Sequence, residues 1–220
     1  MRRTFRNNGL SIVLSLLFLA SLGGQAVTGH WQHNEDSQEH AQPTVGFIEY
    51  LGSSHFLEAT MENWESEFLQ MFAFIVLTAF LYQKGSAESK DPDEKEEVDR
   101  KPAKSRSKSA PWPVRRGGWI LKLYGYSLSL AFLLMFLVSF VLHAAGGAGE
   151  YNQDQKEHGK LERVTTLSYM QTSRFWFESM QNWQSEFLAV GCMVVLTIFL
   201  RQRGSAESKP VDAPHSATGE

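Results

Sequence analysis

The stretch Asn63-Trp64-Glu65-Ser66-Glu67-Phe68-Leu69 decides the fold, because the chain contains it twice. It recurs, with one change, as Asn182-Trp183-Gln184-Ser185-Glu186-Phe187-Leu188, 119 positions later. Each copy opens an apolar run that ends near a basic residue and the string Gly-Ser-Ala-Glu-Ser-Lys. The chain therefore contains an internal repeat, and each repeat carries a carboxylate at the start of an apolar helix.

Four apolar runs interrupt an otherwise polar chain of 220 residues: Leu10–Val27, Phe68–Tyr82, Tyr124–Ala145 and Phe187–Leu200. The first and third are long enough to cross a hydrocarbon core, which takes roughly 20 helical residues. The second and fourth have only 15 and 14 residues without a charge. Taken alone, either of these two could be a buried helix of a soluble protein.

The distribution of Lys and Arg favours four membrane spans. The stretch Thr28–Glu67 contains no Lys or Arg, and the stretch between the third and fourth runs contains four. The stretch Tyr82–Tyr124, by contrast, contains eleven. This alternation follows the positive-inside rule for a protein with both termini in the cytoplasm. Topology thus accounts for the basic residues, and a net charge of −3 does not indicate a nucleic-acid partner.

The predicted fold class is all-α, an integral membrane four-helix bundle made of two parallel repeats of a two-helix hairpin. The repeats are parallel because two crossings separate equivalent positions, unlike the inverted repeats of many transporters. The predicted parts are a first membrane repeat at 1–90 with helices at about 8–28 and 54–84, a charged cytoplasmic linker at 91–118, a second repeat at 119–209 with helices at about 119–146 and 173–203, and a disordered tail at 210–220.

The first apolar run also has the features of a cleavable signal peptide within residues 1–26. The third run repeats the first and lies in the middle of the chain, where no signal peptide can lie. This repetition favours a retained helix.

The polar residues of the repeated stretch define a candidate intramembrane face. A helical wheel places them together, and polar atoms in hydrocarbon are costly unless they are paired, so the face should point into the bundle. Its members are Asn63, Ser66, Glu67, Gln70, Asn182, Ser185 and Glu186. Indole rings prefer the membrane boundary, which makes four tryptophans the predicted interface anchors: Trp64, Trp183, Trp112 and Trp119.

Two interpretations of Glu67 and Glu186 stay open. The functional one is a pair of facing carboxylates that holds a cation or shares a proton. The structural one is that each carboxylate caps a helix or bonds a side chain of a neighbouring helix and so fixes the packing. Their position near the membrane boundary, where water reaches, favours the structural interpretation.

The sequence indicates no catalytic, cofactor-binding or metal-binding residues. It contains no combination of nucleophile, base and orienting group, and Cys192, as the single cysteine, excludes an internal disulfide and a cysteine metal site. His40 and His158 recur in the acidic external stretches, and a metal-dependent site at these histidines is the weakest hypothesis. We therefore expect neither an enzyme nor a cofactor.

Four stretches carry a resemblance to a known family: Asn63–Gln70, Phe80–Glu94, Pro111–Trp119 and Arg174–Gly191. Through them the chain resembles a bacterial family of small duplicated four-helix membrane proteins that is known only as a domain of unknown function. The resemblance covers most of the chain and implies a four-helix plasma-membrane protein. It brings no known activity, ligand or catalytic residue.

We therefore expect a multi-pass protein of the bacterial plasma (inner) membrane with both termini cytoplasmic. Its expected role is a structural or interaction component of the cell envelope. The alternative is a small ion- or proton-conducting or transport protein that uses the paired glutamates near the outer membrane boundary. The expected partners are the lipid bilayer and either a further copy of the chain or another membrane protein, and no nucleic acid.

Overall fold

The computed structural model describes residues 2–103, 105, 107–160 and 163–219. Lys104 and Arg106, in the basic part of the linker, lie outside the described residues. Within the described ranges the regular structure is helical and contains no strand. The helices are α1 Arg2–Glu39, α2 Phe47–Leu51, α3 Ser54–Thr78, α4 Trp112–Arg116, α5 Gly118–Tyr124, α6 Ser127–Glu157, α7 Thr166–Tyr169 and α8 Ser173–Phe199, with a 3-10 turn at Glu97–Asp99.

Three helices, α1, α6 and α8, are long and apolar enough to cross a membrane. The apolar run of α1 shows why a lipid environment suits them. Five of its leucines are between 56% and 76% exposed: Leu10, Leu14, Leu16, Leu17 and Leu19. A contiguous row of this kind is unusual on a protein surrounded by water. These helices therefore support membrane association.

Helix α3, the predicted second span, differs from the prediction and is not apolar enough by the same criterion. It carries four acidic residues, Glu58, Glu62, Glu65 and Glu67. It also ends at Thr78 rather than near residue 84, so the end of the apolar run lies in turns. The ammonium group of Lys90 donates to the carbonyl of Ala79 over 3.3 Å, which satisfies a backbone acceptor at the helix end.

The other predicted boundaries also shift. Helix α8 ends at Phe199 rather than near 203, and the guanidinium of Arg201 donates to the carbonyls of Thr197, Ile198 and Leu200. Helix α1 continues past residue 28 to Glu39, and α6 continues past residue 146 to Glu157. The polar stretches that follow the first and third apolar runs are thus largely helical.

Contacts divide the chain into two compact units, one formed by residues 1–61 and 141–175, the other by 62–140 and 176–220. In the first unit a run of small residues in α6 lies against the start of α3. A Cβ atom added at Gly146 would lie 2.6 Å from the backbone nitrogen of Glu58. Small residues of this kind let helix backbones approach closely. Ala144 and Ala148, on the same run, are buried.

The first unit also contains the same backbone clamp at two sequence-related places. Asn34 donates to the carbonyl of Val45 over 3.1 Å and accepts from its N–H over 2.8 Å. Asn152 does the same with Val164 over 2.9 and 2.7 Å. Each clamp joins the end of a long helix to the short helix that follows, α2 or α7. The short helices were not predicted, because four or five residues give no periodic pattern.

In the second unit the Gly-Ser-Ala-Glu-Ser-Lys strings and the tail form a network of hydrogen bonds. The side chain of Lys209 donates to four carbonyls, those of Gly85, Pro214, His215 and Ala217. Lys209 is only 2% exposed, and this burial, with Arg201 nearby, lowers the pKa of its amine. A tail predicted to be disordered is therefore ordered over its described part, since a buried ammonium needs acceptors and the tail backbone provides them.

Candidate functional site

The repeated stretch lies where α3 and α8 meet, inside the second unit, and its centre is a buried acidic side chain. Glu65 is fully buried and accepts a hydrogen bond from Nε1 of Trp183 over 3.0 Å. The indole N–H can only donate, so it suits a carboxylate that has lost its water. Trp183, predicted as an interface anchor, is thus also a hydrogen-bond partner, and its ring lies edge-on to Phe136 and Trp176.

Two more bonds join the same helices. The side-chain amide of Asn182 donates to Oε1 of Glu62 and to the carbonyl of Glu178, the latter over 3.1 Å. The side-chain amide of Gln70 donates to the carbonyl of Glu186 over 3.2 Å. We call these residues together the α3–α8 contact: Glu62, Glu65, Glu67, Gln70, Asn182, Trp183 and Glu186.

The carboxyl groups of Glu67, on α3, and Glu186, on α8, lie close enough to interact electrostatically. The structure thus brings together the two glutamates that the sequence analysis paired. Glu67 is exposed and Glu186 is partly buried.

The rest of the predicted polar face divides into buried and exposed members. Ser66 is buried and Ser185 is exposed, yet both hydroxyls donate over 2.8 Å to a carbonyl of their own helix, that of Asn63 and Asn182 respectively. Asn63 is exposed. The two serine hydroxyls therefore form hydrogen bonds within their own helices.

The sequence analysis missed Glu62, which is partly buried, and Glu65, which is fully buried. Both were passed over because their counterparts in the second repeat, Gln181 and Gln184, are not acidic. A usable signal was present, since residues at 62, 65, 66 and 69 have the spacing of one helix face. The observed face is rotated by one residue from the predicted one.

The other predicted anchors take different positions. Trp64 is partly buried, and its ring lies edge-on to Phe68, which in turn contacts Phe132. Trp112 and Trp119 are 59% and 72% exposed, as is expected of residues that rest on a membrane surface.

The first unit brings the recurring histidines near each other. The rings of His40 and His158 have their centroids 6.3 Å apart, and both side chains are exposed. The Nδ1 atom of each is hydrogen-bonded to a carbonyl of its own helix, that of Asp36 over 2.9 Å and that of Asp154 over 2.8 Å. Two exposed imidazoles supply only part of a metal's ligand set.

A second group in the first unit has a fuller set of ligands, and we call it the histidine cluster: His33, Tyr50, His55 and Glu150. His33 and Tyr50 are buried, whereas His55 and Glu150 are partly buried. The hydroxyl oxygen of Tyr50 lies 3.1 Å from Nδ1 of His55. The sequence analysis did not single out His55 or Glu150, because neither recurs in the other repeat. Arg174 is the counterpart of His55, and Gln32 is the counterpart of Glu150.

Burial dominates the ionisation of this cluster. Desolvation, followed by the field of Asp154, raises the pKa of Glu150 to about 7. Desolvation, followed by the field of His33, lowers the pKa of His55. Glu150 is five residues beyond Ala145, where the apolar run of α6 ends, so it lies outside the segment that can cross a membrane. Helix α6 is long enough for this, since 31 residues span about 46 Å.

Comparison with known proteins gave one match. The family model described as Domain of unknown function (DUF6766) matches residues 1–220. Neither a curated protein nor a solved structure matches the chain.

Proposed function

Because the chain belongs to the DUF6766 family, a family of unknown function, we propose a role from its own residues: a multi-pass protein of the bacterial inner membrane that serves as a non-enzymatic structural or interaction component of the envelope. In this proposal α1, α3, α6 and α8 all cross the membrane as two parallel repeats, with both termini cytoplasmic. The alternation of basic stretches supports this orientation. The exposed leucines of α1 support contact with lipid.

Helix α3 is the least apolar of the four proposed spans, and its contacts explain how it can be accommodated. Glu58 lies in its first two turns. The other three acidic residues, Glu62, Glu65 and Glu67, follow near the start of the apolar run. Glu62 and Glu65 each have a hydrogen-bond partner on α8. Polar groups paired in this way cost much less in a membrane than unpaired ones.

The observation that carries the structural role is the bond between Glu65 and Trp183. A glutamate that conducts or exchanges protons has to reach water, but Glu65 is fully buried and is held by an indole N–H. The α3–α8 contact thus uses its acidic groups to orient two helices. Polar groups inside a bundle commonly act as such packing elements.

The proposed partners follow from the exposed apolar surface of the helices. The apolar faces left exposed on α1 and α8 fit lipid chains, a second copy of the chain or another membrane protein. We propose these partners and no nucleic acid, because the basic residues cluster in the cytoplasmic stretches that the topology requires.

Proton conduction is the second candidate function, and one observation favours it. The carboxyl groups of Glu67 and Glu186, one from each copy of the repeated stretch, lie close enough to interact. Glu67 is exposed, so the pair is accessible from one side. Carboxyl groups in this arrangement occur in proton relays.

Proton flux into liposomes separates the two functions. The full chain is reconstituted with a pH-sensitive dye inside, and a potassium diffusion potential drives the flux. The structural role predicts the same rate as empty liposomes for the wild type and for Glu67→Gln with Glu186→Gln. A wild-type flux that the double substitution abolishes would establish the second candidate in its place.

A matched control uses the buried member of the same contact. Glu65→Gln removes a charge from α3 without touching the Glu67 and Glu186 pair. If a flux exists and runs through that pair, Glu65→Gln keeps it. A flux lost equally in Glu65→Gln would point to a disrupted fold, which circular dichroism of the same samples would detect.

A further inference from the structure

The histidine cluster has the composition of a metal site, and it is built from three helices of the first unit. His33 comes from α1, His55 from the first turn of α3 and Glu150 from α6. One ligand atom of each, two ring nitrogens and a carboxylate oxygen, lies within 4.8 Å of the others. His33 is only 8% exposed. Residues so far apart in sequence are brought to one point by the fold.

One ligand atom of the cluster lacks a partner. Oε2 of Glu150 is buried and has no hydrogen-bond partner among the residues that the structure describes. A buried carboxylate oxygen without a donor is costly, and such an atom calls for an explanation such as an ion. A bound cation at this point would remove that cost.

The orientation of His55 is fixed by a neighbour, as is usual for metal-binding histidines. Its Nδ1 atom is engaged with the hydroxyl of Tyr50, so Nε2 is left for a ligand role. Tyr50 is 1% exposed and packs against Gly29. A Cβ atom at position 29 would overlap the Tyr50 hydroxyl, so glycine is required for this placement.

The surrounding charges favour a cation. Three carboxylates act on Glu150 from nearby, those of Asp154, Glu157 and Asp36. One cation, Arg174, opposes them, and its guanidinium already pairs with Asp154 over 2.8 Å. The cluster therefore lies in a region of net negative charge.

We propose that His33, His55 and Glu150 bind a single divalent cation of the zinc type, which ties α1, α3 and α6 together. Two imidazoles and one carboxylate are a ligand set that zinc takes in proteins, with a fourth position for water. Calcium and magnesium prefer oxygen ligands throughout, so they fit less well. Ligand atoms around tetrahedral zinc lie about 3.4 Å apart. Side-chain movements of about 1 Å would therefore bring the three ligand atoms to this spacing.

The three ligands have no equivalent set in the other repeat. The equivalent positions hold Tyr151, Arg174 and Gln32, none of which binds zinc readily. Arg174 forms its ion pair with Asp154 instead. The repeat is therefore not expected to provide a second copy of this site.

Zinc titration of the full chain in detergent tests the proposal. Protein stripped with EDTA and dialysed is titrated with zinc chloride in competition with a chromophoric chelator. We expect one equivalent bound, and a loss of affinity of about tenfold or more in each of His33→Gln, His55→Gln and Glu150→Gln. The matched control, His40→Gln with His158→Gln, should keep the wild-type affinity. The proposal is overturned if the wild type binds no zinc, if all three variants bind as it does, or if only the control variant loses binding.

X-ray absorption of the zinc-loaded wild type gives a second test that needs no variant. The expected spectrum shows only nitrogen and oxygen neighbours, with the outer-shell scattering of two imidazole rings. Sulfur in the first shell would indicate binding at Cys192 and would overturn the assignment. A spectrum without imidazole scattering would do the same.

Discussion

The indole nitrogen of Trp183 donates a hydrogen bond of 3.0 Å to Oε1 of Glu65, whose side chain is fully buried. Both residues belong to the repeated stretch, but they come from different copies of it. The bond shows that the two copies complement each other: the acidic residue of one copy meets the indole of the other. The second copy has Gln184 where the first has Glu65, so the contact is not symmetric.

Trp183→Phe should destabilise the protein, because it replaces the indole by a smaller aromatic ring and removes the N–H donor from a buried carboxylate. Loss of such a donor costs about 1–3 kcal/mol, and we expect a lower midpoint of unfolding in detergent. Glu65→Gln introduces the residue that the second copy has at this position, and it is the matched control. It should lower the free energy of unfolding less than Trp183→Phe does. A double-mutant cycle with Glu65→Ala should give a coupling of about 0.5–3 kcal/mol. No measurable coupling would show that the bond does not orient the helices.

Gly146→Ala should be destabilising, since its Cβ would lie 2.6 Å from the backbone nitrogen of Glu58 and the helices would have to separate. Overpacking of this kind typically costs about 1–3 kcal/mol. The control is Gly24→Ala, because no atom lies within 4 Å of a Cβ at that position. The melting temperatures of the two variants in the same detergent provide the comparison. Equal melting temperatures would contradict the close approach of α6 to α3.

The stability of the metal-free protein should depend on pH through Glu150. Its pKa is about 7 in the folded protein and 4.5 as the ordinary value, so the folded state holds the proton more tightly. Stability from this group is present below about pH 4.5 and is lost as the pH rises through 7. With EDTA present, the free energy of unfolding of the wild type should therefore fall by about 1–3 kcal/mol relative to that of Glu150→Gln as the pH rises from 4.5 to 7.

The change in this difference with pH is the quantity to measure, by thermal unfolding in detergent. His55 titrates in both proteins, so its effect largely cancels. A difference between wild type and Glu150→Gln that stays constant from pH 4.5 to 8 would show that the carboxyl is solvated.

Lys209→Met should release the tail, because the ammonium group holds it through the carbonyls of Pro214, His215 and Ala217. Limited proteolysis should then remove the tail several times faster than in the wild type, while the helical signal is unchanged. Lys84→Met is the control, since the Lys84 side chain is 61% exposed and pairs with Asp93. Equal cleavage rates for the wild type and the two variants would show that Lys209 does not hold the tail, and would favour the disordered tail that its composition suggests.

The sequence predicted the helical class and the repeat pattern of residues, since apolar runs and duplicated strings are local signals. It paired Glu67 with Glu186, because both copies carry the same acid. It missed Glu65 and Glu150, whose roles depend on partners from distant helices and whose counterparts in the other repeat differ. Helix ends were misplaced for a similar reason: Lys90 and Arg201 reach back to helix carbonyls, and nothing in the local composition shows this. The composition of the tail did not indicate its hydrogen bonds to the buried Lys209, because these depend on a single side chain.

Membrane topology tests the central claim most directly, namely that four helices cross with both termini cytoplasmic. Cys192 is the single cysteine, so in a Cys192→Ser background one new cysteine reports on one position. The chosen positions are exposed: His40, Arg100, His158 and Val211. A membrane-impermeant maleimide applied to intact spheroplasts should label cysteines at 40 and 158, and should label those at 100 and 211 only after the membrane is opened. Labelling of position 100 in intact spheroplasts would contradict the account, because α3 would then not cross the membrane or the orientation would be reversed.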